Sequence, residues 1–360
     1  MRIAFHAPLK APDHPSPSGD RTMARLLMQA LKVAGHDVFL ASRLRTREAK
    51  GDAGEQNRIR LIARQEASML SAKLLNDPPD LWFTYHLYYK APDLIGPDVA
   101  RALGIPYVAA EASHAEKRLK GPHAHFAADA LVAIQQADAL VCMTDRDRRG
   151  LLEVVPSERL YSLKPFVPTR PRPSLGHGSR PLRLLAVAMM RPGDKMESYR
   201  LLASALGRLR NRSWTLTIVG DGIMKRRVRQ TFAQFGGRVR FTGRVPESRL
   251  KGLYVSHDLL LWPAVNEAYG LALLEATAHG LPVVAGDEGG VADIIRHRVN
   301  GLLAPPRDPA AFAALTRRLL DDRQQLHRLK VGSWRQIERG HRLNQAAHTL
   351  DGIVRSLCES

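Results

Sequence analysis

Two series of short apolar runs, each run trailed by a stretch with helical spacing, divide this chain into strand and helix in regular alternation. The first series reads "RIAFHA", "TMARLLMQALKVAG", "DVFLA", and later "DLWFTYH", "GIPYVAA" and "DALVCM". Strands separated by helices lie parallel, because a parallel pair needs a crossover connection, so the pattern predicts a sheet built from strand-helix-strand units. Residues 164–181, "KPFVPTRPRPSLGHGSRP", are dense in Pro and Gly, lack periodicity and read as a linker. A second series follows: "RLLAVAMM", "WTLTIVGDG", "VRFTG", "DLLLW", "PVVAG" and "GLLA". With 360 residues the chain is long for one core and sufficient for two. The expected division is a first α/β domain over 1–168, a linker over 169–181, a second α/β domain over 182–334, and a terminal segment over 335–360. Ile337, Leu343, Ala346, Leu350 and Ile353 give that last segment the spacing of an amphipathic helix.

The longest apolar runs, "LLAVAMM" and "DLLLWPAV", fall far short of the roughly 18 residues that cross a bilayer. "MRIAFHAPLK" has too short an apolar core for a secretory signal, so a cytoplasmic location is expected. Cys142 and Cys358 are far apart and imply neither a disulfide framework nor a zinc site. The formal net charge of +19 favours polyanions, anionic lipid surfaces or phosphorylated small molecules, unless it reflects only an arginine-rich coding bias. Nucleic acid is not expected, because basic residues form no long run and aromatics are not interleaved with them. Arg43, Arg45, Arg47, Lys50, Arg58, Arg60 and Arg64 read either as a patch for the inner face of an anionic membrane or as a solvated, variable loop.

The densest chemistry lies in "DLLLWPAVNEAYGLALLEATAHGLPVVAGDEGG". Leu259 to Trp262 read as a buried strand closed by Pro263, which puts Glu267 in the loop that follows. Leu271, Leu274 and Ala278 recur at helical spacing, and His279-Gly280 stops that helix before a strand at Val283 to Ala285, so Glu275 lies inside a helix. At Tyr269-Gly270 the backbone can approach a ligand closely, and the first amides of the helix are unsatisfied donors suited to an anion. Carboxylates beside such a site repel bare phosphate, so the ligand should carry hydroxyls as well as phosphate, as a sugar nucleotide does. Taken singly, each glutamate reads equally as a solvated charge.

The stretch "NEAYGLALLEATAHGLPVVAGDEGGVADII" resembles the Glu-x7-Glu signature of retaining glycosyltransferases of family 4. The resemblance implies the GT-B fold, two Rossmann-like α/β domains facing each other across a cleft, with the terminal helix returning to the first. It implies transfer of a hexose-type sugar from a nucleotide diphosphate sugar donor, with retention and without a catalytic metal or other cofactor. The acceptor class is a glycan, a lipid-linked glycan or a small molecule. By resemblance Glu267 contacts hydroxyls of the transferred sugar, the amides of Ala268, Tyr269, Gly270 and Leu271 hold sugar and phosphate, and Glu275 binds the ribose. Arg191 and Lys195, in "AVAMMRPGDKMESYRLL", then stabilise charge as the diphosphate leaves. Without the resemblance these two cations, placed in the loop after the first strand of the second domain, are either a diphosphate clamp or surface charge.

Other positions keep two readings. Gly220 in "GDG" matches the family and equally reads as a strand-to-helix turn, and base contacts are expected around Gly243 to Val245. Gly19 in "PSPSGDRTMARLL" is a tight turn with Asp20 or Thr22 available as helix cap, or it stands in the family's glycine-rich donor loop, here reduced to Ser18-Gly19. His86, Glu111, Ser113, His114 and Lys117 follow strands and end at the sheet edge where open α/β sheets bind ligands. Many family members place a histidine after the later of these strands. Here Glu111 or Ala112 occupies that spacing and His114 falls two or three residues late, so the acceptor-side residue stays open among His86, Glu111 and His114. His86 reads equally as a structural histidine. Asp145 and Asp147 in "TDRDRR" suggest a metal-nucleotide pair, but after Thr144 they fit better as acids favoured at a helix start. "GDGIMK" lacks the third glycine of a dinucleotide fingerprint, which disfavours an oxidoreductase. A GT-B nucleotide-sugar epimerase and a non-catalytic polyanion-binding protein are the alternatives.

Overall fold

Arg2–His6, buried along nearly its whole length, forms β1 and pairs in parallel with β2 (Asp37–Ser42) on one side and β3 (Leu81–Tyr85) on the other. β4 (Tyr107–Ala110), β5 (Ala139–Cys142) and β6 (Leu160–Ser162) extend the sheet from β3 in the order β2-β1-β3-β4-β5-β6, every pair parallel. The crossovers are α1 (Gly19–Val33), α2 (Ala53–Leu74), α3 (Gly96–Leu103), α4 (Ala124–Gln136) and α5 (Asp145–Leu151). Strands covered on both faces need apolar residues on both, and β3 is buried at all five positions, with Phe83 stacked on Phe5 at 5.7 Å. The order in which strands are added reverses between β1 and β3, with β2 on one side of β1 and β3 to β6 on the other, and loops that diverge at such a switch point leave a crevice beyond the carboxyl ends of the strands.

The computed structural model describes residues 1–168 and 181–359, and the chain divides into one unit of Met1–Lys164 with Leu343–Ser360 and a second of Pro165–Arg342. The second unit repeats the design with β7 (Leu182–Val187), β8 (Trp214–Val219), β9 (Val239–Gly243), β10 (Leu259–Trp262), β11 (Val283–Gly286) and β12 (Gly301–Ala304). Their order is β12-β11-β10-β7-β8-β9, again all parallel, so the switch lies between β7 and β10. α6 (Asp194–Gly207), α7 (Lys225–Phe232), α8 (Glu247–Ser256), α9 (Leu271–Ala278), α10 (Val291–Ile294), α11 (Pro309–Asp321) and α12 (Arg323–Glu338) complete it. Trp214, Tyr199 and Phe232 are fully buried in its core. Side chains of this size contribute roughly 1.5 to 3 kcal/mol each on burial.

Two expectations about domain limits change. The terminal segment is not one helix over 335–360: α12 ends at Glu338 and α13 (Leu343–Cys358) begins after a break. The break is anchored within the second unit, where the His341 Nδ1–H donates to Pro165 O at 2.6 Å and Val167 N donates to His341 O at 3.0 Å. α13 packs on α1 in the first unit, burying Leu350, Ile353 and Val354. Residues 165–168, expected in the first domain, belong to the second, and residues 169–180 of the expected linker lie outside the described residues. Among the described residues no helix is long and apolar enough to cross a membrane.

Candidate active site

β10 delivers Trp262 and then Pro263 to the carboxyl edge of the second sheet, and the chain turns through Ala264 and Asn266, both at positive φ, to reach Glu267. Non-glycine residues hold such conformations only where surroundings fix them. Val265 N donates to Ser198 Oγ at 3.0 Å and Asn266 Nδ2 to Asp194 Oδ2 at 3.0 Å, fastening the loop to the start of α6. Behind it, Gly290 N donates to Ala268 O at 2.6 Å, and a Cβ on Gly289 would lie 1.9 Å from Glu267 O. Only glycine fits there.

α6 begins at Asp194, right after Gly193, so Lys195 stands in its first turn rather than in the preceding loop as expected; Arg191 remains in the loop and is exposed. From that turn Lys195 Nζ forms an ion pair with Glu267 Oε2, and the indole Nε1–H of Trp262 donates to the same oxygen at 3.2 Å. Glu267 retains 16% side-chain exposure and Lys195 26%, so both are within reach of a ligand.

Glu267 leads to α9, whose N-cap Gly270 (φ 76°) has no side-chain oxygen to offer the first amides. Those of Ala268, Tyr269, Gly270 and Leu271 belong to this turn. One turn further, Glu275 Oε2 accepts from Tyr254 Oη at 2.9 Å. Burial, and then the Glu275 charge, push the Tyr254 phenol well above its usual range, so it stays a donor. Gly220 and Gly222 are explained by packing: a Cβ on Gly220 would stand 1.9 Å from Ala188 O, and one on Gly222 2.3 Å from Met190 O. Val245 lies half-buried in the turn between β9 and α8.

In the first unit the helix cap differs from expectation. Ser18, rather than Asp20 or Thr22, caps α1: its Oγ accepts from Arg21 N at 3.2 Å, which makes Gly19 the first helical residue instead of a loop glycine. Asp20 is thereby left to approach His86, its Oδ1 3.5 Å from Nδ1, while Glu111 Oε1 lies 3.7 Å from the same nitrogen. His86 and Glu111 directly follow β3 and β4 and have positive φ, and Tyr85 Oη donates to Glu111 Oε2 at 2.7 Å. Burial would lower the His86 imidazole, but Glu111, Asp20 and Asp147 outweigh it and raise it to about 9. Burial raises Glu111 to about 7 against the pull of His86 and Tyr85. Asp20 is held at about 2, its burial overcome by His86 and Lys10.

The structure thus joins His86 and Glu111, adds Asp20 to them, and does not join His114, whose carbonyl abuts Gly150 instead. Asp147 accepts from Thr144 Oγ1 at 2.6 Å at the start of α5. Sequence reasoning missed Trp262, Tyr254, Asp194 and the Gly289-Gly290 pair. The aromatic at the end of the strand before Glu267, and the double glycine after β11, were the available signals.

Solved structures share this arrangement of elements. The chain superposes on sucrose-phosphate synthase from Thermosynechococcus elongatus with a TM-score of 0.77 at 18% identity, covering 99% of each chain. It superposes on Anabaena HepE in complex with UDP with a TM-score of 0.73 at 14% identity, covering 99% of this chain and 100% of that one. The fold is therefore GT-B, the two-unit α/β fold of such glycosyltransferases. More particularly, residues 181–322, which hold Arg191, Lys195, Glu267 and Glu275, match the family model of glycosyl transferases group 1. A D-inositol 3-phosphate glycosyltransferase of Thermobispora bispora is 32% identical over 228 residues, 57% of this chain and 53% of that protein. An uncharacterized glycosyltransferase of Methanocaldococcus jannaschii is 40% identical over 109 residues, 30% of this chain and 28% of that protein. The chain spans about half or less of the length of these two relatives.

Proposed function

We propose that this protein is a retaining glycosyltransferase of family 4, transferring a hexose-type sugar from a nucleotide diphosphate sugar to a glycan, a lipid-linked glycan or a small-molecule acceptor. The observation that carries the reading is Glu267, held by Lys195 and Trp262 at the carboxyl edge of β10 and eight residues ahead of helix-borne Glu275, inside the group 1 match. HepE binds UDP and UDP-glucose, which makes uridine diphosphate sugars the first donors to try.

In this reading the bond from the anomeric carbon to the diphosphate oxygen breaks, a bond to the acceptor oxygen forms on the same face, and the proton of the acceptor hydroxyl passes to the leaving diphosphate. Glu267 accepts from hydroxyls of the transferred sugar, the turn from Ala268 to Leu271 supplies amides, and Glu275 accepts from the ribose. Lys195 and Arg191 neutralise the charge that grows on the leaving diphosphate. Fixed charges aimed at developing charge lower the barrier because they need no reorganisation during reaction. No metal is invoked, since the two cations serve the leaving group and Asp147 is engaged at the start of α5. His86 and Glu111, with Asp20, are the acceptor-side residues of this reading. In this reading the protein acts in the cytoplasm, and contact with the inner face of an anionic membrane is a separate proposal with its own test.

A panel of nucleoside diphosphates and their sugars tests this by thermal shift, a ligand at 100 times its dissociation constant adding roughly 2.7 kcal/mol. Stabilisation by one base series, with slow release of diphosphate from the matching sugar, is the expected result. Retention on polyanions without any nucleotide response would overturn it.

A further inference from the structure

Two donors converge on one oxygen of Glu267. Lys195 Nζ and Trp262 Nε1 both meet Oε2, and among the described residues no hydrogen bond is recorded to Oε1. The two donors are unlike in mobility. Lys195 is a flexible side chain, 26% exposed, whose proposed task is to meet the diphosphate. Trp262 is 3% exposed, fixed at the end of β10, and wedged edge-on against fully buried Tyr199 at 5.1 Å. Lys195 Nζ also lies 5.6 Å from the Trp262 ring centroid, so one indole touches both members of the ion pair.

We infer that Trp262 is a positioning residue: its indole N–H keeps the Glu267 carboxylate aimed at the donor sugar when Lys195 leaves Oε2 for the diphosphate. The inference rests on the proposed transferase reading. Lys195 cannot give its full charge to Glu267 and to a phosphate at once. When it turns to the phosphate, Glu267 loses its cation, and a carboxylate with one remaining fixed donor keeps its orientation where an unrestrained side chain would not. The indole suits this role because it is a donor only and cannot compete as an acceptor. It carries no charge, so it does not draw the carboxylate away from sugar hydroxyls as a second lysine would.

The test uses the full chain in four forms beside the wild type: Trp262→Phe, Trp262→His, Glu267→Ala, and the double variant Trp262→Phe/Glu267→Ala. Phenylalanine keeps a ring against Tyr199 and deletes the N–H. Histidine keeps a ring N–H the same number of bonds from Cβ. Kinetics use the nucleotide sugar that the wild type hydrolyses fastest from the panel. Trp262→Phe should lower kcat by roughly ten- to a hundredfold, the range that loss of one hydrogen bond to a charged group implies, and leave the donor KM within about twofold. Trp262→His should recover most of kcat, and Trp262→Phe should cost nothing further in the Glu267→Ala background, because a residue acting through another is non-additive with it. Tryptophan emission supplies a second measurement: nucleoside diphosphate binding should change it in the wild type as Lys195 moves, and not in Trp262→Phe.

Equal losses from Trp262→Phe with and without Glu267, or a parallel fall in kcat and melting temperature that histidine does not rescue, would show a merely structural tryptophan and overturn the inference. Wild-type kinetics in Glu267→Ala would overturn the inference by removing the role given to Glu267, whereas no response to any nucleoside diphosphate, in emission or in thermal shift, would instead remove the transferase reading on which it rests. Should Trp262→Phe fail to fold, Trp262→Leu in the wild-type and Glu267→Ala backgrounds takes its place, and equal losses with and without Glu267 overturn the inference.

Discussion

Tyr254 and Glu275, 21 residues apart in sequence, are joined by a 2.9 Å hydrogen bond from a fully buried phenol to a half-buried carboxylate. The phenol stacks on His279 at 5.3 Å, and His279 Nδ1 in turn lies 2.7 Å from Glu275 O, so one turn of α9 is fixed at both its side chain and its backbone. A glutamate held this way serves binding rather than motion. If it meets the ribose, a part of the donor that changes little as the glycosidic bond breaks, its bonds stabilise ground and transition states alike. Glu275→Gln should then raise the donor KM by roughly ten- to a hundredfold, the range of one charged hydrogen bond, with kcat nearly unchanged. Tyr254→Phe should shift KM the same way by less. Steady-state kinetics at saturating acceptor checks both.

In the proposed reading Glu267 differs, because it would face the sugar that gains positive character. Glu267→Gln should mainly lower kcat, again by about ten- to a hundredfold. The substitution also releases Lys195 from its carboxylate, so affinity for a nucleoside diphosphate should hold or rise. Calorimetric titration with the diphosphate measures the second effect, and a fall in affinity would contradict the pairing.

Gly289 and Gly35 separate steric crowding from backbone strain. Both have positive φ, 69° and 92°, but a Cβ on Gly35 would meet nothing within 4 Å, whereas one on Gly289 would strike Glu267 O. Gly35→Ala should cost about 1 to 2 kcal/mol from its backbone alone. Gly289→Ala should cost more and should also lower activity, since the carbonyl it strikes belongs to the loop of Glu267. Melting temperatures and kcat of the two variants provide the comparison.

His86 gives unit one a pH dependence. Its folded value, raised to about 9, lies above the free value of 6.5, so the stability it adds is complete below 6.5 and is lost as pH rises through 9. Asp20, held at about 2, contributes with the opposite sign: its share is present above 3.8 and lost only as pH falls through 2. The melting-temperature gap between wild type and His86→Gln should be widest near about pH 6 and close toward about pH 10. Melting curves of the two proteins across that range measure it.

Membrane contact can be tested on α2. Leu61 is 60% and Met69 58% exposed on this helix, beside Arg64 and Lys73. Arg58 and Arg60 are engaged with Glu55 and Asp129, and Arg43 with Asp13, which leaves less charge for lipid than the sequence suggests. Flotation should recover the protein with anionic vesicles more than with neutral ones, falling with salt, at about 1 kcal/mol per interfacial cation. Leu61→Ser/Met69→Ser should reduce recovery, and equal, salt-independent recovery with both vesicle types would rule the contact out.

The sequence alone determined the local structure around the site. Glu267 in a loop and Glu275 in a helix follow from a proline, two glycines and an apolar period within about thirty residues, which are short-range signals. The alternation of runs likewise determined two parallel sheets. Strand order was not legible, and it decided the rest. Because β10 pairs with β7, their carboxyl ends lie side by side, and Lys195 meets Glu267 across 72 residues of sequence. The same adjacency brings Ser198 to Val265 and Asp194 to Asn266. In the first unit Ser18 rather than Asp20 took the helix cap, which freed Asp20 for His86, and the break between α12 and α13 was set by a bond from His341 to Pro165 across 176 residues. Such contacts depend on which strand lies beside which, and periodicity within a window carries no record of that. Tertiary packing therefore chose the partners of side chains whose places in strand, loop and helix the sequence had already determined.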